Sequence, residues 1–268
     1  MRLKEQLRGI IPDEKLEHLS NHFHIVGDIA IISISPELES YKEDISWAIV
    51  SKNRNINAVL NKVSKVDGDR RVAKLEMLAG QRTLTIHKEF GFYYKLDVGK
   101  VFFNSHLSYE RRRVASEAMP GERALVPFCG VGPFAIPIAA KGIKVLAREK
   151  NWHACKWLAE NSRLNKDEEN LNIICAEAFN MAGTLRWKNV DFDRIIIPTP
   201  YGQDHILEAI LPLIKKGGVM HFYTFKRRFQ IEGLKRRFEN MGLEVEFYRR
   251  CGNVAPGVSR WVFDLAKN

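Results

Sequence analysis

Between residues 124 and 150 the chain reads Ala124-Leu125-Val126-Pro127-Phe128-Cys129-Gly130-Val131-Gly132-Pro133-Phe134, a helix-length interval, then Val145-Leu146-Ala147-Arg148-Glu149-Lys150. An apolar run, a tight glycine turn, a helix and a second apolar run closed by an acid are the parts of a nucleoside-cofactor site. In doubly wound α/β folds the ligand sits outside the C-terminal ends of the strands, and an acid ending the second strand can grip a ribose diol. Gly130 and Gly132 let backbone approach a ligand where a side chain would block it. Their alternative is an ordinary strand–helix turn, and that of Glu149 a solvated strand-end acid. A second candidate is Ile195-Ile196-Ile197-Pro198-Thr199-Pro200-Tyr201. Its prolines fix the backbone into a rigid lip. Tyr201 could stack on a flipped base or stand half-buried at a domain seam.

The elements that must position these residues alternate from 124 onward. The pattern predicts strands at 124–128, 144–149, 172–177, 193–199, 218–225, 243–249 and 259–266, with helices at 133–141, 152–164, 203–214 and 229–241. Such alternation implies a largely parallel sheet with helices on both faces. Only residues 251–257 separate the last two strands, too few for a parallel crossover, so these two are expected to be antiparallel neighbours. Upstream, residues 13–22 suggest a short helix, and residues 25–34 a hairpin turning at Gly27-Asp28. Pro36-Glu37 opens a helix with Leu38, Tyr41, Ile45, Ala48 and Ile49 on one face. Short β-like runs follow at 58–60, 83–86, 92–96 and 100–103, then a helix at 105–118. The expected fold class is α/β: a Rossmann-like sheet over 105–268, preceded by a small α+β domain over 23–104 and a helical extension over 1–22.

The 268 residues carry 42 Lys and Arg against 32 Asp and Glu, a net charge of +10 that favours polyanionic partners. The bases cluster at Arg111-Arg112-Arg113, Lys226-Arg227-Arg228, Lys235-Arg236-Arg237 and Arg249-Arg250. Phe225, Phe229 and Phe238 are interleaved with them, as on an RNA-backbone surface or on an amphipathic helix with buried phenylalanines. Cys129, Cys155, Cys175 and Cys251 show no metal-ligand or disulfide spacing, so free thiols and no metal are expected. His106, His153, His205 and His221 are dispersed, and core or surface roles suit them better than catalysis. The N-terminus lacks the apolar stretch of a signal peptide, and no run would span a bilayer. A cytoplasmic monomer is expected.

Ala135 stands at the third glycine position of a dinucleotide fingerprint, where alanine is tolerated, so that position does not choose the cofactor. Two other features narrow it. Pro133 at a helix start and an antiparallel strand ending the sheet suit instead an S-adenosylmethionine-dependent methyltransferase. The motifs Phe128-Cys129-Gly130-Val131-Gly132-Pro133-Phe134-Ala135-Ile136-Pro137, Glu149-Lys150-Asn151, Leu158-Ala159-Glu160-Asn161 and Leu164-Asn165-Lys166 resemble one family. It is that of the archaeal and eukaryal-type tRNA (guanine-37 N1)-methyltransferases, with their wyosine-pathway aminocarboxypropyl-transferring relatives. Val26-Gly27-Asp28-Ile29-Ala30, Pro36 to Lys42, Lys100 to Phe103, Leu107 to Arg113 and Ala255-Pro256-Gly257-Val258 extend the resemblance over residues 23–268.

The resemblance implies S-adenosylmethionine bound by Asn104, Arg111, Phe128, Cys129, Gly130, Val131, Gly132, Glu149, Lys150, Glu177, Ala178 and Pro198. Glu177 stands where the family has an acid near the adenine, an exposed strand-end glutamate being its alternative. Arg111, Pro198 and Tyr201 are the candidate catalytic residues, and Arg111 could instead meet phosphate. The implied reaction is methylation of a tRNA base, N1 of guanosine 37, with the basic clusters on the RNA. Aminocarboxypropyl transfer, another acceptor such as a protein side chain, and a non-catalytic RNA-binding role are the rivals. No residue stands out as general base. The chain departs from the family at Pro127, where an aspartate is usual, and before Pro198, where Asn-Leu-Pro is usual. The family's extra N-terminal module has no room before residue 23.

Overall fold

The computed structural model describes residues 3–64, 72–180 and 190–268; Met1, Arg2 and parts of both expected domains lie outside these. The chain divides into two compact units, Met1–Ser105 and His106–Asn268.

The first unit contains α1 (Leu3–Gln6), α2 (Asp13–Leu16), β1 (His24–Val26), β2 (Ile29–Ile32), α3 (Lys42–Lys52), β3 (Ala58–Lys62), β4 (Leu75–Ala79), β5 (Leu84–Glu89) and β6 (Phe92–Asp97). Strands β1 to β4 form one sheet in sequence order, with β2 and β3 parallel, while β5 and β6 form a separate hairpin. The turn at Gly27-Asp28 joins β1 to β2 as expected from sequence. Leu7, Ile11, Leu16 and Leu19 share one core with Ala30, Ile32, Leu38 and Ile45, so the segment read as an extension packs into the body of this unit. One expected strand is absent, and one strand present was not expected. Residues 100–103 are not a strand, because the backbone N–H groups of Lys100 and Val101 both fold back onto the Asp97 carbonyl. Strand β4, with its mixed Leu-Glu-Met-Leu-Ala pattern, carries no clean alternation to announce it.

The second unit contains α4 (Ser108–Glu117), β7 (Arg123–Pro127), α5 (Ala135–Ala139), β8 (Lys144–Glu149), α6 (Trp152–Leu164), β9 (Leu171–Cys175), β10 (Phe192–Ile197), α7 (Ile206–Ile210), β11 (Ile214–Lys226), α8 (Ile231–Asn240), β12 (Leu243–Ala255) and β13 (Val258–Lys267). Among the described residues its strands form one seven-stranded sheet in the order β12-β13-β11-β10-β7-β8-β9. The five from β9 to β11 are parallel, and β13 is antiparallel to β11 and to β12, as the short last connection required. The helix expected at 203–214 is only one and a half turns, since Pro212 tightens its end into a 3-10 turn and β11 starts at Ile214. Helix α6 buries Ala154, Cys155, Leu158, Asn161 and Ser162, a stripe at helical spacing. Helix α8 likewise buries Ile231, Leu234 and Phe238. Strand order reverses between β7 and β10, so the chain folds outward on both sides of that pair, and their C-terminal ends are where sheets of this topology form a ligand crevice. The glycine turn follows β7, and the Pro-Thr-Pro-Tyr segment follows β10.

Candidate functional site

The turn after β7 is held by its neighbours. Phe128 adopts φ +56°, Gly130 +57° and Gly132 +98°. A left-handed phenylalanine costs on the order of 1–2 kcal/mol, and such strain persists only where the surroundings over-determine it. Here the Gly130 N–H donates to Glu149 Oε2 at 2.9 Å, and the Asn151 N–H to Glu149 Oε1 at 2.8 Å. Asn161, fully buried on α6, donates from Nδ2 to the Val131 carbonyl at 3.1 Å. The Cys129 N–H donates to the Arg148 carbonyl at 3.1 Å, continuing the ladder to β8. A Cβ at Gly132 would collide with Leu158 and sit 2.8 Å from Ile136 Cδ1, so close packing of the turn on α5 and α6 requires glycine there. A Cβ at Gly130 would meet nothing within 4 Å, which leaves open space directly over the turn. Asn151 also caps α6, its Oδ1 accepting from the His153 N–H at 3.0 Å.

This donor and acceptor set fits a ribose diol beneath an open cradle. Each Glu149 oxygen accepts one backbone N–H and keeps lone-pair capacity for another donor. Next to it, Lys150 Nζ donates to Glu177 Oε1 at 2.8 Å, tying the loop after β8 to the loop after β9. Ala178 is buried, and Phe179 stacks on His205 with centroids 4.5 Å apart and meets Phe128 edge-on at 6.3 Å. Burial and the Glu149 charge push the Cys129 thiol well up, so it is no nucleophile at neutral pH.

Across the crevice, the segment after β10 is pinned to the end of β11. Asp204 Oδ2 accepts from Thr224 Oγ1 at 2.9 Å and from Lys226 Nζ at 2.5 Å. Thr199 is buried and bonds the Ile197 carbonyl, and Pro198 is half-buried at the lip. Tyr201 is 64% exposed, not half-buried, and touches Phe225 with ring centroids 5.4 Å apart.

Other expected site residues are placed differently. Arg111 is 2% exposed on α4, within the second unit, and is no surface phosphate contact. Asn104 falls in the first unit, apart from the turn in the chain's division. The basic clusters are only partly open to a polyanion. Arg113 pairs with Glu110, Glu117 and Asp264, Arg249 with Glu110, Lys226 with Asp204, Lys235 with Glu232 and Arg237 with Glu208. Arg112, Arg227, Arg228, Arg236 and Arg250 are exposed. Phe238 is buried as an amphipathic helix would have it, whereas Phe229 is 78% exposed.

His221 is fully buried between Asp264 Oδ1, 2.7 Å from Nδ1, and Arg194 Nη1, 2.6 Å from Nε2. A guanidinium only donates, so Nε2 accepts and the ring proton sits on Nδ1. Arg194 continues to both oxygens of Glu122, at 2.8 and 2.9 Å. The ligand-capable atoms of Glu117, His221 and Asp264 lie within 4.8 Å of one another. Two guanidinium groups already occupy them, so the cluster reads as an ion-pair network joining α4 to β10, β11 and β13. Burial alone would raise the Asp264 pKa, but hydrogen bonds from His221 and Arg113 outweigh it and hold the carboxyl below its usual range. Sequence reading missed this network and the Asn161 and Asp204 anchors. Only Asn161 left a signal, an amide on the apolar stripe of α6.

Comparison with known proteins agrees with this geometry. Residues 85–248 match the TRM5/TYW2 methyltransferase domain, and residues 3–83 match the TYW2 N-terminal domain. The Pyrococcus abyssi tRNA (guanine(37)-N(1))-methyltransferase Trm5b is 38% identical over 254 residues, which cover 92% of this chain and 74% of that protein. The Pyrococcus horikoshii tRNA(Phe) (4-demethylwyosine(37)-C(7)) aminocarboxypropyltransferase is 32% identical over 278 residues, covering 98% and 95%. Among solved structures, a complex of aTrm5 and tRNALeu superposes with a TM-score of 0.87 at 30% identity, over 100% of this chain and 78% of that one. P. horikoshii TYW2 in complex with MeSAdo superposes with a TM-score of 0.77 at 29% identity, over 98% and 97%.

Proposed function

The chain belongs to the TRM5/TYW2 methyltransferase family, and from that premise we propose that it methylates N1 of guanosine 37 in tRNA, using S-adenosylmethionine. The carrying observation is the Glu149 carboxylate, which braces the glycine turn at the switch point while keeping capacity for a ribose. The bound cofactor supplies an electrophilic methyl group on a sulfonium. What the chain contributes is placement: Glu149 orients the ribose, Glu177 and Ala178 flank the adenine, and the Gly130–Gly132 turn admits the amino-acid tail. Pro198 and Tyr201 border the acceptor. Alignment of nucleophile and methyl group is worth several orders of magnitude in such a displacement. Arg112, Arg227, Arg228, Arg236 and Arg250 are the cations we assign to RNA phosphates. No metal enters this reading, which takes the protein as a cytoplasmic monomer. Among the described residues no helix is long and apolar enough to cross a membrane.

A second reading has its own support. The match of residues 3–83 to the TYW2 N-terminal domain and the near-complete coverage of the aminocarboxypropyltransferase favour transfer of the cofactor's other substituent. Incubation with undermodified tRNA and cofactor labelled separately on the methyl and aminocarboxypropyl carbons decides between them. Methyl label in tRNA is the expected result. Label from the other carbon alone would replace the first reading with the second, and label only in protein would overturn both.

A further inference from the structure

Along the C-terminal edge of β10, β11 and the adjoining start of β13, three side chains form a continuous ladder. Tyr201 meets Phe225 at 5.4 Å between centroids with a 57° tilt, and the guanidinium carbon of Arg260 lies 5.0 Å from the centroid of the same Phe225 ring. The ladder is fixed by backbone. Phe225 and Arg260 are register partners of β11 and β13. The Tyr201 turn is tied down by the Gln203 N–H to Pro200 carbonyl bond at 3.1 Å and by Asp204 on Thr224 and Lys226, which bracket Phe225. Trp261 Nε1 donates to the Lys226 carbonyl at 3.2 Å and locks the same corner. Tyr201 is thus a 64%-exposed aromatic ring held in a fixed place, its surface open to a partner. Arg227, Arg228 and the exposed Phe229 follow immediately in the chain.

We propose that Tyr201, Phe225 and Arg260 form a stacking shelf for an unpaired nucleobase beside the target base, with Arg227 and Arg228 on its backbone. The inference rests on the RNA reading above and adds a subsite to it. An exposed tyrosine ring set against a phenylalanine that carries a guanidinium, and flanked by cations, is chemistry for single-stranded nucleic acid, since every base offers a π-face and every linkage a negative charge. Charge complementarity selects this occupant over an apolar peptide. The shelf is blind to base identity, so it selects for an unpaired neighbour and not for a sequence.

The test uses the full chain and an anticodon-arm RNA hairpin carrying 2-aminopurine next to the target guanosine, on either side. Tyr201→Ala is expected to weaken binding roughly 5- to 150-fold, the range for loss of one base–aromatic stack. It should also relieve the 2-aminopurine quenching on one side only and leave the salt dependence of binding unchanged. Tyr201→Phe should restore both, and Phe225→Leu should give an intermediate loss. Arg228→Ala should instead flatten the salt slope by about one charge. Calorimetry with S-adenosylhomocysteine verifies that each variant keeps its cofactor site. Wild-type binding that Tyr201→Ala and Phe225→Leu leave unchanged would overturn the shelf and leave the RNA reading standing. Absence of wild-type binding even at low salt would overturn the RNA reading itself.

Discussion

Replacing Glu149 by glutamine keeps size and shape but converts one acceptor oxygen into a donor. Both oxygens now receive backbone N–H groups, from Gly130 at 2.9 Å and Asn151 at 2.8 Å. The amide can satisfy one of them and must turn its NH2 toward the other. The turn therefore loses one hydrogen bond to an ionised acceptor, worth about 1.5–3 kcal/mol and toward the low end at this half-exposed position. The proposed ligand loses one of the same kind, which weakens affinity by roughly 10- to 150-fold. Titration calorimetry with S-adenosylhomocysteine measures the total, and the same titration with its 2′-deoxy and 3′-deoxy analogues separates the two contributions. In the double-mutant cycle the deoxy ligands should lose far less than the ribose ligand when Glu149 changes. Equal losses for ribose and deoxyribose would mean that the side chain serves only the turn, and the diol assignment would be refuted.

The two glycines should fail differently. Gly132→Ala meets Leu158 and Ile136 and should cost stability by thermal unfolding, whereas Gly130→Ala, with open space above it, should cost about 1–2 kcal/mol of strain but lower cofactor affinity by a larger factor. Asp264→Ala strips His221 and Arg113 of their buried carboxylate and should destabilise by about 3–5 kcal/mol, lowering Tm by roughly 2–4 °C per kcal/mol. Because the folded Asp264 pKa is depressed, that contribution is present in full above the unfolded value of about 3.9 and is lost as pH falls through the folded pKa. Acid unfolding of Asp264→Asn should accordingly be less steep than that of the wild type as pH falls below the ordinary carboxylate range. Asp204→Ala releases the acceptor lip from Thr224 and Lys226 and should lower kcat with bound RNA while leaving calorimetric cofactor affinity unchanged; a matching loss of cofactor affinity would contradict the separation of the two anchors.

The sheet was legible because its signals are local and periodic. Each parallel strand is a short apolar run, and the stripe on α6 repeats at helical spacing, so the order of elements and the antiparallel last pair followed from connection lengths. Glu149 was legible for the same reason, as an acid at the end of a periodic run. Arg111 and Arg113 show where local reading stops. Three consecutive arginines look like one basic cluster, but helical geometry turns each 100° from the next, so Arg111 is buried, Arg112 is exposed and Arg113 runs into Asp264, 151 residues away. The bond from Arg249 to Glu110, over 139 residues, removed a second cation in the same way. Composition counts charges, and only tertiary pairing decides which remain available to a phosphate.

Pro127 acquires its meaning from the same tertiary setting. The last register pair between β7 and β10 is Leu125 with Ile195, while β7 stays paired with β8 up to Pro127 and Arg148. Pro127 thus stands at the point where the sheet has begun to part, and the turn beyond it is ordered without an acid at that position. Glu149 takes the Gly130 N–H, Asn161 takes up the Val131 carbonyl, and the Arg148 carbonyl receives the Cys129 N–H. Three anchors from β8 and α6 constrain a segment of three residues, enough to hold Phe128 at a left-handed φ. An aspartate would have offered the turn one more acceptor. Its absence leaves Glu149 and Asn161 as the side chains that order the turn beside the Arg148 carbonyl, which is why substitutions at those two positions should perturb this turn more than a substitution at Pro127 itself.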